Sequence, residues 1–219
     1  MKKHIEILKK CPLFEGIYEE NLIRMLGCLG ARVEHFGKKY TIFSEGAPAR
    51  LIGIMLNGTA QITQVDYYGN RSLLGNVQPS EIFGEAFACA SVPSLPISVI
   101  ANEDADVMLI DCSHILHVCE NACGFHHKLI YNLMKDLAEK TIMLHQRSEI
   151  TSRRTTREKL IAYLMMMAKK TGKSSFDIPF DRQELADYLE VDRSGLSSEI
   201  SKLRAEGVIE SYKNSFKLL

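Results

Sequence analysis

Between residues 32 and 111 the apolar positions fall in short runs, broken at close and regular intervals by turn-forming residues, which is the pattern of a β-sandwich or barrel. The runs at 51–56 and 60–65 flank Asn57-Gly58, a pair with ready access to positive φ, and predict a two-residue hairpin. A further turn is expected at Gly69-Asn70, and later strands at 97–101 and 107–110. Pro79, Pro93 and Pro96 fall in connections, where no sheet N–H is lost.

The periodicity then changes. Over residues 126–150, Ile130, Met134, Leu137, Thr141 and Leu144 alternate spacings of four and three, which keeps a seam on one side of a helix. Leu129, Leu133 and Met143 lie on an adjacent face. Two apolar faces on one helix predict that one packs on the β domain and the other on a second copy of the chain; an ordinary buried helix is the alternative. The stretch 151–155 is polar and reads as a boundary, and Thr155 with Glu158 forms a capping-box signal for the next helix. Met165-Met166-Met167 inside that helix reads as core filler, because consecutive positions point in different directions.

Asp181 and Glu184 make a second capping signal and open a short helix over 182–189, with Leu185, Ala186 and Leu189 inward. Asp192 caps another, in which Leu196, Ile200 and Leu203 face inward and Gly207 marks the stop. Two short helices, a tight turn and a stop make a helix-turn-helix. The outer face of its second helix carries Arg193, Ser194, Ser197, Ser198, Ser201 and Lys202, short or cationic and able to approach a DNA groove, whereas a merely solvated helix mixes Glu with Lys. Residues 208–212 and 215–218 surround Lys213-Asn214 and predict a terminal hairpin, a wing with Lys213 available to a phosphate.

A length of 219 residues suits two modest domains. Charge balances overall, but residues 151–219 hold 13 Lys and Arg against 10 Asp and Glu, while residues 1–150 hold 14 against 17. That mild asymmetry suits a nucleic-acid partner without arguing for one. No run approaches the roughly 18 apolar residues of a membrane span, and the start of the chain lacks a signal core, so no membrane partner and a cytoplasmic location are expected. The six cysteines, at 11, 28, 89, 112, 119 and 123, form no C-x-x-C pair and read as free, mostly buried thiols. No nucleophile elbow, H-E-x-x-H or G-x-x-x-x-G-K motif is present, so an enzyme is not expected.

With these elements in place the chain resembles the Crp/Fnr family of bacterial regulators over nearly its whole length. In the N-terminal part Gly37-Lys38-Lys39-Tyr40, Glu45-Gly46, Gly58, Gly69 and Pro79-Ser80-Glu81-Ile82-Phe83-Gly84-Glu85 are similar to the glycine punctuation of a cyclic-nucleotide-binding roll. In the C-terminal part Asp181-Arg182-Gln183-Glu184-Leu185-Ala186-Asp187-Tyr188-Leu189 and Arg193-Ser194-Gly195-Leu196-Ser197-Ser198-Glu199-Ile200 resemble the family's reading head. The resemblance implies an α+β protein: a double-stranded, jelly-roll-like β-roll sensor over 1–124, a dimerisation helix over 125–150 and a DNA-binding winged helix-turn-helix over 151–219. It also implies a homodimer on a palindromic operator, with an effector in the roll reorienting the reading heads, and RNA polymerase as a further partner. By position, Arg193, Ser194 and Ser198 match base-reading residues, and Arg182 and Gln183 match backbone contacts. Many members carry a second Arg where this chain has Ser198.

The sensor departs further from the family pattern. Members that bind cyclic AMP follow Gly-Glu with an Arg-Ser pair that grips the cyclic phosphate; here Leu95-Pro96-Ile97 stands in its place, and no cation occurs between Glu85 and Asp111. A buried phosphodiester without a paired cation is costly, so cyclic AMP is not the expected effector. Leu144 and His145 stand where the family's helix carries a hydroxyl pair. An apolar or weakly polar molecule lined by Phe83, Leu95, Ile97 and Leu144, with Gly84, Glu85, Pro96 and His145 nearby, is one reading; an empty, structural roll is the other. Glu85 suits either a ligand hydroxyl or the backbone N–H groups of its own loop. No cofactor or metal is expected. Cys119 and Cys123 share a helix face but read as core thiols, and His114, His117, His126 and His127 as solvated residues rather than haem ligands. The functional alternative is a ligand-binding module whose winged helix engages protein instead of DNA.

Overall fold

The computed structural model describes residues 2–65, 67–69, 71–116 and 125–219. Asn70, His117, Cys119 and Cys123 lie outside the described residues. Contacts divide the chain into two compact units, Met1–Glu139 and Lys140–Leu219.

The first unit opens with helical turns Lys2–His4 and Pro12–Phe14 interleaved with α1 (Ile5–Leu8), and then α2 (Glu19–Cys28). Eight strands follow: β1 (Arg32–Phe36), β2 (Thr41–Phe43), β3 (Leu51–Asn57), β4 (Ala60–Val65), β5 (Arg71–Val77), β6 (Ile82–Phe83), β7 (Ser98–Ala101) and β8 (Ala105–Asp111). α3 (Glu85–Cys89) lies between β6 and β7, α4 (Cys112–Leu116) follows β8, and α5 (Phe125–Thr151) is the long helix. The strands form two antiparallel four-stranded sheets, ordered β1-β8-β3-β6 and β2-β7-β4-β5.

The period of two decides which core each side chain enters. Along β3 and β8, Ile52, Ile54, Leu56, Met108 and Ile110 join a core with Leu8, Leu22, Leu26 and, from α5, Leu129 and Leu133. The intervening Met55, Ala105, Val107 and Leu109 join a second core with Phe43, Phe83, Leu95, Ile97 and Val99. Burial on both faces explains the unbroken apolar run at 51–56.

The sheet order corrects one expectation. β3 and β4 do not form a hairpin at Asn57-Gly58: β3 pairs with β8 and β6, whereas β4 pairs with β5 and β7. The turn carries the chain from one sheet to the other. Gly58 has φ +76°, and a Cβ there would come within 2.6 Å of the Asp104 carbonyl oxygen, so the glycine serves a close backbone approach.

The predicted seam of α5 divides. Leu129 and Leu133 are buried in the first unit, with Ile130 and Leu137 packed at the edge of that core. Met134, Thr141, Ile142, Met143 and Leu144 are exposed.

The second unit contains α6 (Thr156–Thr171), β9 (Ser175–Asp177), α7 (Arg182–Leu189), α8 (Arg193–Ala205), β10 (Ile209–Tyr212) and β11 (Ser215–Leu218). The strands form a small antiparallel sheet ordered β10-β11-β9. Its core gathers Ile150, Leu160, Leu164, Leu185, Leu196 and Leu203 with Phe176 and Phe216. Met166 and Met167 pack at its edge, whereas Met165 is exposed and is not core.

Candidate nucleic-acid interface

Local contacts set the two short helices of the second unit. At the start of α7 the Glu184 N–H donates to Asp181 at 2.8 Å, and the Asp181 N–H donates to the Glu184 carboxylate at 2.7 Å. α7 ends at Glu190, a non-glycine residue in the left-handed region with φ 54°. The Lys159 ammonium donates to the carbonyls of Leu189 and Glu190 at 3.2 and 3.3 Å, placing a cation at the negative end of the helix. Two residues later Asp192 caps α8, accepting from the Gly195 N–H at 2.8 Å and from the Ser194 hydroxyl. The hydroxyl bond, aided by the Gly195 N–H, holds the Asp192 carboxyl below the usual aspartate range.

Leu196, Ile200 and Leu203 anchor the inner face of α8 and are at most 5% exposed. That leaves Arg193, Ser194, Ser197, Ser198, Ser201 and Lys202 outward and exposed. The Ser194 proton is committed to Asp192, so its oxygen is left to accept. Ser201 donates to the Ser197 carbonyl at 3.0 Å, and Lys202 lies 3.4 Å from Glu199. Glu199 sits off this face: its side chain is 13% exposed and also lies 3.5 Å from Arg157. Arg157 in turn pairs with Glu206, tying the start of α6 to the end of α8.

Four predicted residues from three segments line one open groove of about 630 Å³: Arg182 and Gln183 of α7, Arg193 of α8 and Lys213 of the wing turn. Asp177, Asp181 and Tyr212 also line it. Among the described residues Arg193 has no ion-pair partner. Arg182 is half-buried, its guanidinium 4.9 Å from the Phe216 ring centroid, with one terminal nitrogen enclosed and lacking a hydrogen-bond partner. Burial pulls its pKa down, and an anion in the groove would favour the charged form. The Gln183 amide donates to Asp187 at 2.9 Å. Lys213 occupies the left-handed region that a two-residue turn requires, with its ammonium 5.6 Å from the Tyr212 ring centroid. An adjoining groove of about 710 Å³ brings in Arg204 and Tyr212, which the sequence reading passed over. Arg204 lies three positions after Ser201 and seven after Ser197 on α8, a spacing that puts it on their side of the helix and is the signal that finds it.

The roll treats its candidates differently. Gly84 has φ +80° and opens α3, and a Cβ there would come within 2.6 Å of the Phe43 ring. Phe83, Leu95 and Ile97 are 2–5% exposed within the core between the sheets, Glu85 is buried at 5%, and Pro96 is exposed. Leu144 and His145 are exposed on the part of α5 belonging to the second unit. One histidine differs from expectation: His126 is 1% exposed rather than solvated, with Nε2 2.9 Å from the His114 carbonyl, and His114 Nδ1 lies 3.0 Å from the Leu29 carbonyl. Both rings close helical segments onto the unit. Of the four described thiols, Cys11 and Cys112 are buried, Cys89 is half-buried and Cys28 exposed.

The cyclic nucleotide-binding domain family matches residues 33–122, and the Crp-like helix-turn-helix domain family matches residues 158–219. In sequence the chain is 24% identical over 185 residues to the transcriptional activator protein FnrL of Cereibacter sphaeroides, covering 77% of this chain and 68% of FnrL. It is 26% identical over 203 residues to the nitrogen fixation regulation protein FixK of Bradyrhizobium diazoefficiens, covering 87% of this chain and 79% of FixK. In fold it is similar to FixK2 from Bradyrhizobium japonicum, with TM-score 0.51 and 22% identity over 86% of this chain and 92% of that one. It is also similar to the c-di-GMP responsive global regulator CLP of Xanthomonas campestris, with TM-score 0.58 and 14% identity over 90% of this chain and 97% of that one.

A cyclic nucleotide-binding-like roll, a long helix and a helix-turn-helix with a wing define a DNA-binding transcription regulator. The chain belongs to the Crp/Fnr family, whose members regulate transcription and are not enzymes. Membership does not favour the alternative of a winged helix that engages protein.

Proposed function

We propose that the protein is a homodimeric, sequence-specific regulator in which residues 151–219 read each half of a palindromic operator, residues 125–150 pair the protomers and residues 1–124 sense an effector. Arg193, Ser194, Ser197 and Ser198 meet base edges in the major groove, while Lys202, Arg182, Gln183 and Lys213 position the duplex through its phosphates. The observation that carries this reading is the groove in which Arg182, Gln183, Arg193 and Lys213 converge beside the exposed serine face of α8. Pairing of protomers through Ile130, Met134, Leu137, Thr141 and Leu144 is supported by the exposure of Met134 and Leu144, at 65% and 67%, on a helix whose Leu129 and Leu133 are buried. RNA polymerase would be met at the promoter.

The effector is a small molecule other than cyclic AMP, held by Phe83, Gly84, Glu85, Leu95, Pro96 and Ile97 of the roll. Two features support an apolar or weakly polar occupant: no cation between Glu85 and Asp111, and apolar packing around Phe83. Fluorescence anisotropy with duplexes selected from a random pool tests the function. The expected result is one palindromic consensus bound more tightly than unrelated duplexes, with affinity falling as salt rises because phosphate contacts release counterions. Binding that is indifferent to sequence and salt would sink the reading.

A further inference from the structure

Two cysteines 23 positions apart in sequence meet in the first unit. Sγ of Cys89, the last residue of α3, lies 3.6 Å from Sγ of Cys112, the first residue of α4, and the two short helices pack against each other. Both thiols are free; Cys112 is 3% exposed and Cys89 is half-buried. An open groove of about 340 Å³ is lined by Arg50, Ala88, Asp111 and Cys112 among others, Ala88 being the neighbour of Cys89 in sequence. Neither thiol takes part in the proposed reading of DNA or in the proposed effector site.

We propose that Cys89 and Cys112 form a dithiol oxidation site, at which a hydroperoxide converts the pair into a disulfide within the domain. A disulfide holds its sulfurs about 2.05 Å apart, so these need to approach by about 1.5 Å for the bond to form. The environments divide the labour. A hydrogen bond from Cys112 pulls the Cys89 thiol pKa below its ordinary value against the opposing effects of burial and the Glu85 charge. The same bond, with burial and the Asp111 charge, pushes the Cys112 thiol well up. Cys89, the more exposed of the two, is the attacking thiol and the buried Cys112 the resolving thiol.

The steps balance. The Cys89 sulfur attacks one peroxide oxygen, the O–O bond breaks, and the other oxygen leaves and takes up a proton as water or alcohol, giving a sulfenic acid at Cys89. The Cys112 sulfur then attacks the Cys89 sulfur, the S–O bond breaks, and the departing hydroxide carries away the Cys112 proton as water. The two thiols together lose two electrons, and the peroxide gains them.

The test uses the full reduced chain, exposed to hydrogen peroxide, alkylated and mapped as non-reduced peptides by mass spectrometry. The expected result is one cross-linked pair joining the Cys89 and Cys112 peptides, with two of the six cysteines lost to alkylation and recovered after dithiothreitol. In Cys112→Ser, dimedone should label Cys89 and the cross-link should vanish; in Cys89→Ser, Cys112 should take up neither label nor cross-link. The proposal is overturned if both thiols remain alkylatable at doses that oxidise Cys28, or if either pairs instead with Cys119 or Cys123. The wild-type map decides the matter even where a variant folds poorly.

Discussion

Around the groove of the second unit Arg193, Ser197, Ser198, Lys202 and Lys213 stand exposed, whereas in the first unit Phe83, Glu85, Leu95 and Ile97 are at most 5% exposed and built into the core. A surface that meets a polymer depends on which side chains point outward, so it can be altered one residue at a time while Leu196, Ile200 and Leu203 keep the helix in place. A site assembled from core residues has no such freedom. Every change of ligand contact there is also a change of packing, and every entering ligand must exchange contacts with the roll itself.

The largest effect should therefore come from the roll. Phe83→Ala removes a ring at the centre of the core between the sheets and is expected to cost about 3 to 5 kcal/mol of that unit's stability, measured by calorimetry of the full chain. A cost below about 1 kcal/mol would mean that Phe83 borders space able to accept a ligand without repacking. In the second unit Arg193→Ala should leave the melting temperature unchanged while weakening operator binding by about 1 to 3 kcal/mol and relaxing preference at one base per half-site. Equal loss on every duplex would reassign Arg193 to a phosphate. Lys213→Ala should weaken all sequences alike and reduce the slope of log affinity against log salt by about 1.

A pH titration sharpens the contrast further. The folded-state pKa of Asp192 is depressed, so its contribution to stability is complete above the ordinary aspartate value of about 3.9 and is lost as pH falls through the lower folded value. Melting of the second unit should drop over that acid window. Asp192→Asn keeps the cap but should flatten this part of the profile, and Asp192→Ala should lower melting at neutral pH as well. A wild-type profile in Asp192→Asn would show that the carboxyl carries no such linkage. The smallest expected effect is none: millimolar cyclic AMP should leave both the melting temperature and DNA affinity unchanged, and a rise in either would restore the cyclic nucleotide as effector.

Much of the second unit was legible because its signals are local. Thr155 with Glu158 and Asp181 with Glu184 are both observed as reciprocal caps, and Gly207 follows the end of α8 with φ +73°. β9 escaped notice because its three residues are a strand only through pairing with β11. In the first unit the strands at 51–56, 60–65, 97–101 and 107–110 were legible but their partners were not. Asn57-Gly58 has the composition of a hairpin turn, yet Ile54 stands opposite Met108 and Ile82, and Ile62 opposite Val99 and Gly75. His126 carried no mark in sequence that it would be buried against the His114 carbonyl.

Residue order alone dictated the starts of α6, α7 and α8, the outward run of serines and cations on α8 and the missing cation after Glu85, because each is a relation among near neighbours or a matter of what is absent. Folding alone decided that Arg182, Gln183, Arg193 and Lys213 share one groove, that Phe83 fills the space between two sheets and that Cys89 faces Cys112. The physical reason is range: a cap is a contact across three residues, whereas sheet order and the meeting of two thiols depend on where distant segments are brought by burying their apolar faces together.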